Sequence, residues 1–226
     1  MNFINSALDY FFPPICGMCG EINENYICNN CYENIKKIKK CVINEYNNRN
    51  FSKHLYIFRY EGIIRNKIIE YKFEDKGYLY KMFAKIILSD KKTCNFIKKY
   101  DVIIPVPISK KRKKKRGYNQ SELVANELAQ KLNQDIWTDI IIKKKDNKPQ
   151  SELNKLERIK NVEDIYEINK PIEVKNKKVL LLDDIYTTGS TVNEIARKLK
   201  QNQTQEIGVI TLAKDWNVFL FMQNYE

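Results

Sequence analysis

The chain alternates short apolar runs with segments whose apolar residues recur at helical intervals. Five runs have the length and apolar content of buried strands, at residues 54–60, 101–106, 138–142, 179–182 and 207–212. Four segments have the spacing of amphipathic helices, at residues 63–73, 79–88, 122–132 and 192–200. Strands that alternate with helices predict an α/β fold class, with a mostly parallel twisted sheet flanked by helices.

Four of the six cysteines form a C-x2-C-x8-C-x2-C pattern near the start of the chain: Cys16, Cys19, Cys28 and Cys31. Two residues between thiolates let one tight turn present both sulfurs to the same ion, and two such turns complete a tetrahedral shell around zinc. No open ligand position is suggested, so we expect a structural Zn2+ site rather than a catalytic one. Cys41 and Cys94 have no close partner and are expected to be packing thiols.

The chain is expected to divide near residue 50. Residues 1–50 would form the small zinc-binding module and a polar linker or short helix, and residues 51–226 the main domain. A hydrophobic content of 43% excludes a disordered chain, and the apolar runs are far shorter than the roughly 20 residues of a membrane span. The N-terminal stretch carries Asp9 within its apolar part and does not resemble a secretory signal, so we expect a soluble, cytoplasmic protein.

The formal net charge is +12, and the unbroken basic run at 110–116 carries seven positive charges. Two interpretations of this run stay open at this point: a solvated loop edge or a nucleic-acid contact. Tyr118 follows as a single aromatic ring, which is thin support for base stacking. The one histidine, His54, has no accompanying acid or cysteine cluster and is expected to be a strand residue rather than a ligand or base.

Residues 179–192 carry the strongest chemical signal. An apolar strand leads into Asp183 and Asp184, then into a hydroxyl-rich turn around Gly189, and then into a helix expected to begin near Val192. Amides and hydroxyls from Thr187 to Thr191, at the start of a helix, predict a phosphate-binding loop. The acid pair suits ribose hydroxyls or Mg2+, and it is not expected to act as one paired acid–base device because adjacent strand residues face opposite ways. Neither a Walker loop nor a dinucleotide fingerprint is present.

The segment LLLDDIYTTGST resembles the motif for phosphoribosyl pyrophosphate (PRPP) in the phosphoribosyltransferase fold. Together with the cysteines, FRYEG at 58–62, YKF at 71–73, the stretch from Pro105 and the PQSELNKLERIKNV stretch from Pro149, it resembles the ComF family of competence proteins, also called GntX-like. The likeness covers nearly the whole chain in order. It implies a type I phosphoribosyltransferase-like domain that acts in natural competence.

The resemblance also implies roles for particular residues. Asp183 and Asp184 would contact the ribose hydroxyls as the catalytic acid pair, with Mg2+ bound alongside PRPP. The 5'-phosphate would be bound by Thr187, Thr188, Gly189, Ser190 and Thr191. The candidates for binding pyrophosphate are Ser109, Arg112, Arg116 and Gly117. The candidates for a mobile lid are Lys145, Gln150 and Arg158.

Three hypotheses for function follow. The first is a phosphoribosyltransferase that transfers the pentosyl group from PRPP to an unidentified nitrogen acceptor and releases pyrophosphate. The second is a competence factor in which the same fold binds PRPP or a nucleotide, or nothing, and functions without catalysis through contacts with DNA-processing partners. The third is a binder of single-stranded DNA that uses the zinc module and the basic run. The sequence leaves open whether the chain is catalytically active.

Overall fold

The computed structural model describes residues 13–144 and 165–216. Its helices are α1 (Asn29–Ile38), α2 (Gly62–Phe73), α3 (Leu79–Leu88), α4 (Lys91–Ile97), α5 (Lys110–Arg116), α6 (Gln120–Leu132), α7 (Pro171–Val174) and α8 (Ser190–Gln201). Its strands are β1 (Val42–Glu45), β2 (Lys53–Arg59), β3 (Val102–Pro105), β4 (Asp135–Ile136), β5 (Ile141–Lys143), β6 (Tyr166–Ile168), β7 (Lys178–Tyr186) and β8 (Glu206–Lys214). Among the described helices, none combines the length and apolar character that crossing a membrane requires.

Six strands form the main sheet in the order β1-β2-β8-β7-β3-β4. The pairs from β2 to β4 are parallel, and only the edge strand β1 is antiparallel to its neighbour. Strands β5 and β6 form a separate antiparallel pair beside it. The predicted α/β class with a mostly parallel sheet is therefore confirmed.

The central strand β7 is buried on both faces, as its unbroken apolar run predicted. Leu180 and Leu182 pack into one hydrophobic cluster, with Phe83 and Leu128 of the helices on that face. Val179 and Leu181 point the other way and join a second cluster, with Ile195 of α8. Because side chains alternate along a strand, one apolar run supplies the cores on both sides of the sheet.

The N-terminal cysteine segment packs directly on α3. Cys16 and Ile27 lie in the same hydrophobic cluster as Leu79 and Met82. A Cβ atom on Gly17 would lie 2.7 Å from the Met82 sulfur, so this close approach requires glycine. The division near residue 50 stays a prediction, and β1, within the segment assigned to module and linker, hydrogen-bonds to β2 in the main sheet.

Four local expectations differ from the structure. The basic run, expected in a turn after Pro107, forms the helix α5, because Ser109 caps its first turn and Gly117 ends it in a left-handed conformation. Strand β7 continues past the acid pair to Tyr186, and helix α8 begins at Ser190, two residues earlier than expected. The strand predicted at 138–142 is shorter and shifted, and it pairs outside the main sheet.

Candidate functional site

The hydroxyl-rich loop lies between the carboxyl end of β7 and the start of α8. Gly189 precedes the helix with φ +75°, and a Cβ atom there would overlap the ring and hydroxyl of Tyr186. The Thr188 and Ser190 hydroxyl oxygens are 2.7 Å apart, and the Ser190 amide donates to Thr188 Oγ1 at 3.3 Å. A glycine is therefore required both by the backbone conformation and by the tyrosine packed against it.

The connection between β1 and β2, distant in sequence, hydrogen-bonds to this loop and to the start of α8. Arg49 donates from Nη2 to the Thr188 carbonyl oxygen at 3.3 Å. The backbone amide of Asn50 donates to Asn193 Oδ1 at 2.8 Å, which fixes the first turn of α8. The sequence interpretation had placed Arg49 and Asn50 in the module and linker, and no local signal marked them as neighbours of the loop.

The acid pair is surrounded by donors that the sequence interpretation did not identify as part of the site. Lys72 Nζ lies 2.8 Å from Asp184 Oδ1, and Gln120 donates from Nε2 to Asp184 Oδ2. Asp183 Oδ1 accepts the Asp184 amide at 2.9 Å and the Ser121 hydroxyl at 3.4 Å. Burial, reinforced by the neighbouring Asp184 carboxylate, raises the pKa of Asp183 to about 7.

The basic helix α5 borders the same site. Arg116 donates from Nη1 to Gln120 Oε1, and its guanidinium lies 5.4 Å from the centre of the exposed Phe73 ring. Ser109 is buried and accepts the Arg112 amide at 3.2 Å, so it acts as a helix cap. Gly117 is the residue that ends the helix. Of the four pyrophosphate candidates, Arg112 and Arg116 line the cavity described next, and Ser109 and Gly117 shape the helix that carries them.

A cavity of about 730 Å³ connects these groups at the carboxyl ends of β3 and β7. Both acids line it, as do Thr187, Gly189, Ser190 and Thr191 of the hydroxyl-rich loop, whereas Thr188 does not. Its remaining walls include Tyr60, Lys72, Phe73, Lys143 and Tyr166. The lid candidates Lys145, Gln150 and Arg158 lie outside the described residues. The cavity thus brings together two motifs that are about 70 residues apart in the chain, as ligand sites in parallel sheets commonly do.

The four paired cysteines form a separate cluster. Their sulfur atoms all lie within 4.8 Å of one another, and those of Cys19 and Cys28 are 3.9 Å apart. Tetrahedral zinc with Zn–S bonds of about 2.3 Å places sulfurs roughly 3.8 Å apart, so the donor set and its spacing fit this metal. The Cys28 amide donates to Cys16 Sγ at 3.3 Å, an interaction that stabilises a thiolate. The cluster can therefore hold a zinc ion.

The remaining candidates for chemistry are structural. His54 lies in β2, where Nε2 is 2.8 Å from Thr211 Oγ1 and the ring stacks on Tyr186 at 4.2 Å. Cys41 and Cys94 lie outside the four-cysteine cluster. The expectation that His54 is a strand residue is therefore confirmed, and its ring forms part of the packing behind the phosphate loop.

Several known proteins are similar to this chain or to part of it. Residues 119–216 match the family described as phosphoribosyl transferase domain. The chain is 29% identical over 207 residues to competence protein F of Haemophilus influenzae. The alignment covers 89% of this chain and 85% of that protein. This chain is 26% identical over 202 residues to competence protein ComFC of Bacillus subtilis. That alignment covers 88% of this chain and 78% of the Bacillus subtilis protein. A purine phosphoribosyltransferase from Pyrococcus horikoshii is similar at 19% identity over 62% of this chain and 75% of that chain, with a TM-score of 0.38.

Proposed function

We propose that this chain binds PRPP with Mg2+ and acts in the uptake of transforming DNA. The proposal is supported by the similarity to two competence proteins and by the match of residues 119–216 to the phosphoribosyl transferase domain family. In this proposal the 5'-phosphate of PRPP occupies the loop from Thr187 to Thr191. The ribose hydroxyls meet Asp183 and Asp184. The pyrophosphate group extends toward Arg112 and Arg116 of α5.

One observation carries the proposal: the phosphate loop and the acid pair line the same cavity. An anion is stabilised by free amides at a helix start, and α8 begins directly after the left-handed Gly189. Carboxylates accept hydrogen bonds from sugar hydroxyls, and they lie on the strand that leads into that loop. A molecule with a phosphate at one end and a ribose beside it matches this order of groups.

The chemistry available to such a ligand is pentosyl transfer. The bond between ribose C1 and the pyrophosphate oxygen breaks, and its electron pair leaves with the pyrophosphate. A nitrogen nucleophile supplies the pair for the new C1–N bond and loses a proton to solvent. When bound, Mg2+ supplies charge that neutralises the departing pyrophosphate, and the residues fit it because two carboxylates line the cavity beside the cationic helix. Arg112 and Arg116 hold the leaving group from the protein side.

The zinc assignment is part of the same proposal. Four thiolates with the spacing of a closed tetrahedral site suit structural Zn2+, and the buried Cys16 ties that site to the hydrophobic core under α3. The cysteines are not among the residues that line the cavity. We therefore assign the ion to folding and not to catalysis.

A thermal-melting experiment tests the proposal. PRPP with Mg2+ at millimolar concentration is expected to raise the melting temperature of the wild type, because a ligand that binds only the folded state stabilises it. The double variant Asp183→Asn with Asp184→Asn should show no such rise. Asp135→Asn, at an exposed position of β4, is the matched control and should respond like the wild type. A wild type whose melting temperature is indifferent to PRPP would contradict the proposal.

The exposed basic helix favours a second candidate, a contact with single-stranded DNA. Lys110, Lys111 and Lys114 are exposed on α5 and are not among the residues that line the cavity. Replacing all three by alanine should reduce the slope of log affinity against log salt by about 2, since each phosphate contact contributes roughly 0.7. An unchanged slope would contradict the contact with single-stranded DNA and would leave the proposal of PRPP binding untouched.

A further inference from the structure

The three consecutive residues Tyr71, Lys72 and Phe73 all reach the candidate site from the end of α2. The Tyr71 hydroxyl donates to the Gln120 carbonyl oxygen at 2.8 Å. Lys72 forms its ion pair with Asp184, and the exposed Phe73 ring lies under the Arg116 guanidinium. Lys72 and Phe73 thus line the cavity and the buried Tyr71 anchors them to α6, yet none of the three has a role in the proposed function.

Lys72 differs from a lysine on the same helix that forms a local ion pair within that helix. Lys67 is 2.9 Å from Glu70, three residues away, and its side chain is 15% exposed. Lys72 is 2.8 Å from Asp184, more than a hundred residues away, and its side chain is 17% exposed. The two pairs have almost the same length and exposure, but only the lysine at 72 lines the cavity.

The ammonium group of Lys72 has hydrogen-bonding capacity that Asp184 does not use. A lysine carries three donors, and the interactions described for Lys72 place one carboxylate oxygen against it. Asp184 is held from its other oxygen by Gln120, which in turn accepts a hydrogen bond from Arg116. The Asp184 carboxylate therefore links Lys72, on one oxygen, to Gln120 and Arg116 of the basic helix, on the other.

The charges that line the cavity also favour a cation beside the acid pair. The acids Asp75, Asp183 and Asp184 face the same space as five cationic side chains, those of Lys72, Arg112, Lys115, Arg116 and Lys143. A diphosphate group that approached the acid pair would be repelled by it. An ammonium group 2.8 Å from Asp184 offsets this repulsion where ribose and diphosphate would meet.

We propose that Lys72 is a binding residue for the diphosphate part of the phosphoribosyl ligand, with one donor on Asp184 and the others available to phosphate oxygens. This inference rests on the proposed function, because it takes the cavity to be the PRPP site. It assigns the diphosphate to a cation that lies outside the basic run and before the segment that matches the domain family.

Calorimetric titration tests the role of Lys72. The ligands are PRPP, inorganic pyrophosphate and ribose 5-phosphate, each in the presence of Mg2+. The proteins are the wild type, Lys72→Met, Lys72→Gln, Lys72→Arg and Lys67→Met. The methionine and glutamine variants at 72 should bind PRPP and pyrophosphate about 10- to 100-fold more weakly, as expected for loss of a charge-assisted hydrogen bond. Their affinity for ribose 5-phosphate should change less than about threefold. K72R should retain part of the affinity for diphosphate, and K67M should match the wild type.

Folding is checked first by circular dichroism, because removal of a charged partner leaves Asp184 buried and unpaired. The glutamine variant keeps a donor for Asp184 and isolates the loss of charge. If neither neutral variant folds, chemical acetylation of wild-type lysines decides: pyrophosphate should protect Lys72 and not Lys67, and equal labelling of Lys72 with and without ligand overturns the inference.

The outcomes separate this inference from the function on which it rests. If wild type and the neutral variants bind PRPP equally well, Lys72 is only a counter-ion of Asp184 and the proposed function stands. If pyrophosphate binding depends on Lys72 but PRPP does not bind, the diphosphate site is supported and the ribose assignment fails. If wild type binds neither PRPP nor pyrophosphate, the proposed function and the inference both fail. An equal loss for all three ligands would indicate a general distortion and would overturn the specific assignment to the diphosphate.

Discussion

The cysteine cluster and the cavity are built in opposite ways. The cluster takes all its ligands from residues 16–31, and two short turns suffice to bring them together. The cavity combines Lys72, Arg116 and Asp184, which come from three different parts of the chain. The local site could be identified from spacing alone. Of the cavity, the sequence pattern identified most clearly the segment 183–191, where the acid pair and the hydroxyl-rich loop follow each other directly.

The cysteine cluster and the hydroxyl-rich loop at one end of the cavity pack against different faces of the sheet. Cys16 lies in the hydrophobic cluster that contains Leu180 and Leu182. Tyr186, which packs under the phosphate loop, lies in the cluster that contains Val179 and Leu181. Strand β7 therefore separates the two cores. Damage to one site should leave the chemistry of the other largely intact.

Loss of the metal site should destabilise the protein most. Cys16→Ser should abolish zinc binding and lower stability by several kcal/mol, roughly 10 °C or more in melting temperature, because metal-binding energy is folding energy in such modules. Metal analysis and thermal melting measure both. Cys94→Ser, outside the cluster, should change neither by a comparable amount. The PRPP-induced rise should persist in the Cys16 variant, and its loss would contradict the separation of the two sites.

Acid should destabilise the folded protein through His54, whose ring is buried behind the hydroxyl-rich loop. Burial, with a contribution from Lys214, lowers the pKa of His54 to about 3 from its ordinary 6.5. As pH falls below 6.5 the unfolded chain binds this proton and the folded chain does not, so stability is full above pH 6.5 and is lost toward pH 3. Urea unfolding between pH 7 and pH 4 should show a loss about 3 kcal/mol smaller in His54→Gln than in wild type.

The difference between the two proteins isolates His54, because acid also protonates the cysteine thiolates in both. Equal losses of stability in wild type and His54→Gln would mean that the ring is protonated in the folded protein. That result would also contradict its close packing against Tyr186.

An intermediate effect is expected at Gly189. Gly189→Ala must place a Cβ atom at positive φ and against Tyr186, which should lower stability by about 2–3 kcal/mol and weaken PRPP binding strongly. Gly62→Ala is the matched control, since Gly62 has φ +51° and open space where the Cβ atom would lie. It should cost only the backbone strain, about 1 kcal/mol, and should bind PRPP normally. Equal effects of the two substitutions would show that the tyrosine contact is unimportant.

The smallest effect is expected at Arg49. Arg49→Ala removes one hydrogen bond to the Thr188 carbonyl, which should lower stability by about 1 kcal/mol and weaken PRPP binding several-fold. Titration with PRPP measures the second effect, and Arg65→Ala, at an exposed position of α2, serves as control. Unchanged affinity in the Arg49 variant would mean that α8 positions the loop without help from the β1–β2 connection.

The predicted elements succeeded where a segment's own residues decide its structure. The strand at β7 and the helix at α8 followed from period and length, because buried apolar residues repeat at the spacing of the element that buries them. The helix α5 was missed because seven consecutive like charges give no amphipathic signal. Its stability depends on the Ser109 cap and on the left-handed Gly117 that ends it.

The cysteine cluster, the alternation of strands and helices, and the acid pair with its hydroxyl-rich loop could all be predicted from the amino-acid sequence, because each depends on residues close together in the chain. The pairing of Lys72 with Asp184, the contact of Arg49 with Thr188, and the position of the basic helix beside the same cavity emerge only in the folded protein. These contacts join elements through the parallel order of the sheet. The free energy that positions them comes from burial of the two hydrophobic cores, which no short pattern in the chain encodes.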